Sequence, residues 1–131
     1  MPFPNGSGGY QIGDGNQGEI LFAPQATPAA YTAAAAPLLN TDLAGGLITY
    51  NAAGANNLQL PTVANLELLA SSAYNNSAFD FYVIALGAGT GTVTTNTGWT
   101  LVGSMAVATN VSGHFRARKT GDGAWTLYRL S

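Results

Sequence analysis

Turn-forming residues recur about every ten residues in the second half of the chain, with only short β-branched, aromatic or alternating runs between them. A chain punctuated in this way has no room for long helices and must bury its apolar side chains from strands. Residues 78–86 (AFDFYVIAL) form the strongest run, long enough and apolar enough for a central strand. Residues 87–91 break it, and strands are expected over 92–95 and 99–102, split by Asn96-Thr97-Gly98. Residues 104–109 alternate Met105, Val107 and Thr109 with small side chains. The two last runs, 113–119 and 124–130, flank Gly121-Asp122-Gly123, a β-hairpin signal. Their alternation turns Phe115 and Ala117 inward and Arg116 and Arg118 outward. The fold class expected is all-β, a jelly-roll or β-sandwich-like domain.

Upstream, residues 47–50 and 58–60 read as short strands separated by a small-residue turn region. Thr62 follows Pro61 and precedes Val63, Leu66, Leu69 and Ala70, spaced i, i+3, i+6 and i+7. That pattern predicts one short amphipathic helix, N-capped by Thr62 and running to about residue 73. Residues 1–37 are different again. They hold Pro2, Pro4, Pro24, Pro28 and Pro37, interleaved with glycines, a density of breakers that no helix or central strand tolerates. Apolar residues still punctuate the segment, which a merely solvated tail lacks. It is expected to be an extended N-terminal arm, residues 1–37, ahead of a β-domain over 38–131. Phe3, Tyr10, Ile12 and Phe22 are its candidate anchors, with Asp14 and Asn16 between them.

Composition narrows the functional classes. Only 8% of the 131 residues are charged, where about 25% is usual. The hydrophobic share is 47%, yet alanine is the commonest residue, so large apolar side chains are few and burial by neighbouring subunits is expected. The net charge of −2 is uneven. Asp14, Glu19, Asp42, Glu67 and Asp80 precede any base, whereas Arg116, Arg118, Lys119 and Arg129 all follow residue 113. Four bases are too few for a nucleic-acid groove. Arg116, Arg118 and Lys119 form either a solvated strand face or a salt-bridge patch against a neighbouring subunit. There is no cysteine, no secretory leader pattern and no apolar run of membrane-spanning length. The Asn-x-Ser triplets at Asn5, Asn75 and Asn110 are what chance yields in a chain rich in these residues.

Residues that suggest chemistry fail on context. Gly13-Asp14-Gly15-Asn16-Gln17-Gly18 has the spacing of a phosphate-binding turn, but no strand leads into it and no helix follows. Asp14, Asn16 and Glu19 lack the distant bidentate Glu of a calcium loop. His114 is the only histidine, and without a thiol it cannot complete a zinc site. The acids are scattered singly rather than opposed in pairs, as glycoside hydrolysis requires. Trp99, Trp125, Tyr50, Tyr74, Tyr82 and Tyr128 could make a sugar platform, although alternating strand aromatics ordinarily fill a core or an interface. The expectation is a non-enzymatic protein without metal or cofactor.

Pro4-Asn5-Gly6 and Gly9-Tyr10-Gln11-Ile12-Gly13-Asp14-Gly15-Asn16 open the chain, and a terminal block follows. That block comprises residues 77–81 (SAFDF), 98–103 (GWTLVG), 114–118 (HFRAR) and 125–130 (WTLYRL). In these features the chain resembles the small head decoration, or cement, proteins of tailed bacteriophages. The resemblance implies a virion structural protein, made in the host cytoplasm and seated on the outer capsid surface as a homotrimer. Its partner would be the major capsid protein, bridged and stabilised by the arm, with neither nucleic acid nor membrane involved. Similar blocks occur in phage fibre and tail proteins, so the alternative is a tail-fibre or tail-tip module for receptor or glycan binding. An arm with no shaft repeats favours the capsid reading.

Overall fold

The computed structural model describes residues 20, 22–34 and 37–131. Among these, nine strands and two short helices follow one another: β1 (Ala29–Tyr31), α1 (Asn40–Gly45), β2 (Leu47–Tyr50), β3 (Asn56–Gln59), α2 (Val63–Glu67), β4 (Ala78–Ala85), β5 (Gly91–Thr94), β6 (Trp99–Val102), β7 (Ala106–Val107), β8 (Ser112–Gly121) and β9 (Ala124–Arg129). The fold is all-β, as the turn spacing implies. The strands form a six-stranded sheet, ordered β1-β2-β4-β8-β9-β6, and a three-stranded one, β3-β5-β7.

Both sheets are mixed. β1 pairs with β2, β2 with β4, β3 with β5, and β6 with β9 in parallel, while β4–β8, β8–β9 and β5–β7 are antiparallel. The last hairpin forms where the Gly-Asp-Gly signal places it, with a register irregularity between Lys119 and Gly121. Gly123 takes φ +64°, the left-handed conformation that a Cβ penalises. β1 lies at the sheet edge, directly after Pro28, where a missing backbone donor is tolerated.

The sheets share one core. Ile48, Tyr50, Phe81, Val83, Phe115, Trp125 and Leu127 from the larger sheet join Leu58, Val93 and Val107 from the smaller, all fully buried. The two layers approach closely at glycines. A Cβ on Gly91 would sit 3.1 Å from the Tyr50 ring, and one on Gly113 would sit 2.9 Å from Val107 and Phe115. Phe81 and Phe115 stack across β4 and β8 with centroids 5.3 Å apart. Trp99 and Trp125 lie in this core, and the Trp99 indole N–H donates to the Pro61 carbonyl at 2.7 Å.

The helices depart from expectation in two ways. Thr62 does cap α2, its hydroxyl accepting the Asn65 N–H at 3.2 Å, but the helix ends at Glu67. Beyond it the backbone makes i→i−3 bonds, Leu69 to Leu66, Ala70 to Glu67 and Ala73 to Ala70, so tight turns replace the rest. The second helix, α1, is held locally and from a distance. The Asp42 carboxylate accepts the Leu39 N–H at 2.9 Å and the hydroxyl of Tyr31 from β1. Gly46 closes it at φ +80°.

Candidate functional site

β4 and β8 run antiparallel with Asp80 opposite Arg116 and Tyr82 opposite His114. Period-two alternation sends Phe81, Val83, Phe115 and Ala117 into the core and these four to the outer face of the six-stranded sheet. There Asp80 accepts two bonds from the Arg116 guanidinium, at 2.7 and 3.0 Å, and His114 Nε2 lies 2.8 Å from its second oxygen. The Tyr82 and His114 rings stack with centroids 4.4 Å apart and planes 18° off parallel. The hydrogen bonds from Arg116, then His114, pull the Asp80 carboxyl down to about 2. Asp80 is therefore an anion with both oxygens engaged, suited to fixing two cross-strand neighbours rather than to moving protons.

Arg116, Arg118 and Lys119, left by the sequence as either a solvated strand face or a salt-bridge patch against a neighbouring subunit, divide between the two sides of β8. Arg116 and Arg118 stand on the outer face, while Lys119, one residue on, points to the opposite side. Arg118 donates to the Tyr128 hydroxyl at 2.7 and 3.1 Å and to Asn76 Oδ1 at 2.7 Å. Asn76 presents that oxygen from a left-handed turn at φ +74°. Lys119 Nζ lies 3.4 Å from Glu67 Oε2 and 3.3 Å from the Ala73 carbonyl, closing the end of the core beside α2. Glu67 also accepts the Trp125 indole N–H at 3.1 Å. Arg129 reaches the Ser104 and Ala106 carbonyls at 3.1 and 2.9 Å, tying β9 to the chain around β7.

No protein-family model, curated protein or solved structure matches the chain.

Phe3, Tyr10, Ile12, Asp14 and Asn16, with the Gly13–Gly18 turn and Glu19, lie outside the described residues. Phe22, the remaining candidate anchor, is 69% exposed, and Ile20 is 73% exposed. Further along, the Gln25 amide donates to the Gly45 carbonyl at 2.8 Å and pins the stretch to the C-terminal end of α1. Of the aromatics considered as a sugar platform, Trp99, Trp125 and Tyr50 are core residues, whereas Tyr74 and Tyr82 are exposed.

Sequence reasoning missed a groove between α1 and the turns after α2. It encloses about 390 Å³ and is lined by Leu43, Leu66, Leu69, Ala73, Phe79 and Trp125. Leu68, Leu69 and Tyr74 stand exposed on the same 68–77 segment. The signal was present in the pair Leu68-Leu69, which exceeds what one face of a five-residue helix can bury. Among the described residues no cluster of three or more His, Asp or Glu could hold a metal, and no helix is long and apolar enough to cross a membrane.

Proposed function

We propose that this chain is a structural protein of a tailed-phage virion that decorates the outside of the capsid as a homotrimer and cements neighbouring major capsid protein subunits. The observation that carries this reading is how the chain disposes of its charge. Arg116 and His114 are engaged by Asp80, Lys119 by Glu67, and Arg118 and Arg129 by neutral acceptors of the same chain. Large apolar residues remain exposed instead, among them Leu39, Leu68, Tyr74, Tyr82 and Val102. Such a surface suits a component buried in a permanent assembly better than a protein that must stay apart from its neighbours. The two-sheet domain serves as the projecting body, and its four parallel pairings favour a sandwich-like arrangement over a jelly roll.

In this reading the N-terminal arm, through Phe3, Tyr10, Ile12 and Phe22, lies over the capsid protein and can add a strand to an exposed edge. Three arms per trimer act together, so modest contacts sum to a lasting clamp. Deleting residues 2–22 is expected to abolish capsid binding while leaving a soluble trimer. A truncated protein that still decorates capsids would overturn the arm's role. Capsids left bare by the intact protein, with binding to host surface polysaccharide, would move the assignment to a fibre or tail tip.

A further inference from the structure

Ile48, Tyr50, Val83 and Ala85 of the parallel pair β2–β4 point into the core, and the outer face of the same pair is apolar too. There Leu47 lies beside Tyr82, and Thr49 beside Ile84. Tyr82 is 43% exposed and the other three are half-buried. Parallel strands with near-continuous apolar runs are ordinarily covered on both faces. The antiparallel pair β8–β9 alternates instead, with Arg116 and Arg118 turned outward. We propose that Tyr74 of a second copy of this chain packs on the outer β2–β4 face, head to tail, and that three such contacts close the homotrimer. This inference rests on the trimeric reading above and names its contact.

Three observations single out Tyr74. It is 81% exposed, more than any other large apolar side chain among the described residues. Its backbone is already fixed. The Tyr74 N–H donates to Ser77 Oγ at 2.9 Å, and the Ser77 N–H donates back to the Tyr74 carbonyl at 2.9 Å. The Asn76 N–H donates to the Lys119 carbonyl at 2.8 Å, and Asn76 Oδ1 accepts from Arg118 at 2.7 Å. A side chain on a turn held in this way loses little freedom on burial, and tyrosine is among the residues that dominate interfaces. The third observation is charge. Residues 68–77 carry none, nor do the four residues of the face, and the bordering Asp80 and Arg116 bind each other. Two such patches meet without stripping water from an unpaired ion. Ser112, opposite Ile84 on β8, offers a hydroxyl to the incoming phenol.

The occupant is a second copy because one chain cannot make the contact alone. Tyr82 and Ile84 follow the Tyr74 turn by most of the eight residues of β4, roughly 17 Å of strand. The turn and the face therefore lie at opposite ends of β4. Two different patches on one subunit make the contact heterologous, the kind that closes rings.

Sedimentation of the full-length protein reads the concentration at which the trimer dissociates. Tyr74→Ser, which leaves the main-chain bonds of its turn in place, is expected to raise it at least about thirtyfold. Tyr82→Ser/Ile84→Thr, on the face, is expected to do the same. Mixed one to one, the two variants retain one intact contact, and a heterodimer is expected. A Tyr74→Ser trimer as tight as the wild type would overturn the proposal, as would a mixture that stays monomeric. A second measurement does not depend on weakening the protein. The chain has no cysteine, so Tyr74→Cys/Ile84→Cys can be oxidised beside the control Tyr74→Cys/Thr126→Cys. The first pair is expected to join chains covalently at least about tenfold faster, and equal rates would overturn the contact. A monomeric wild type would overturn it together with the trimeric reading. Bare capsids beside a head-to-tail trimer would defeat the decoration reading alone.

Discussion

At the residue scale, acids in this chain act as clasps. Asp80 joins β4 to β8 through Arg116 and His114, and Asp42 joins α1 to β1 through Tyr31. Partly exposed pairs of the first kind contribute about 0.2–1 kcal/mol, so Asp80→Asn should lower the unfolding free energy by that amount, read as a lower urea midpoint at unchanged slope. The carboxyl sits at about 2 in the folded chain against 3.8 ordinarily, so the clasp stabilises above about pH 4 and its contribution is lost as pH falls towards 2. The gap between wild type and Asp80→Asn should close over that window in acid titration. A gap independent of pH would show that the charge is not what stabilises. Tyr31 has the opposite sign. Burial, then the hydrogen bond to Asp42, pushes its phenol from 10.0 up to about 12. Its contribution is present below pH 10 and lost as pH rises through 12, and Tyr31→Phe should remove that alkaline component of unfolding. None of this clustering was legible from sequence. Asp80 and His114 are 34 residues apart, and only the β4–β8 register brings them together.

At the element scale, what could be read locally was read. The hairpin β8–β9 is set by its glycines and by strict alternation, and β4 by an aromatic and β-branched run. Parallel neighbours were not legible, because β2 and β4, or β6 and β9, are joined by crossovers rather than by a turn with its own chemistry. Six residues of α1 show no second turn of periodicity, and its clasp comes from Tyr31, nine residues before its first residue. Turn geometry yields a sharp contrast. Gly98 has φ +93°, and a Cβ there would sit 2.7 Å from the Gly123 carbonyl and from Val63, whereas one on Gly121 meets nothing within 4 Å. Gly98→Ala is expected to cost about 1–3 kcal/mol and Gly121→Ala less than about 0.5 kcal/mol, compared by thermal denaturation. Thr62→Ala should cost about 1 kcal/mol through the lost α2 cap.

At the scale of the whole molecule, the same scarcity of charge that first suggested an assembly component reappears as a surface whose cations are engaged within the chain. The groove beside α1 and the exposed Leu68, Leu69 and Tyr74 belong to this scale too, since they form only when α1, the turns after α2 and the start of β4 come together. A trimer of the kind proposed would bury surface that one small core cannot, and oligomerisation makes stability depend on concentration. If that trimer forms, dilution below its dissociation range should lower the melting temperature. The most direct test of the central claim is to mix the purified full-length protein with expanded, undecorated capsids and image them by electron microscopy, with the mass of the free protein measured alongside. Ordered density at the three-fold positions together with a trimeric mass is the result predicted. Capsids that remain bare beside a well-folded protein would contradict it.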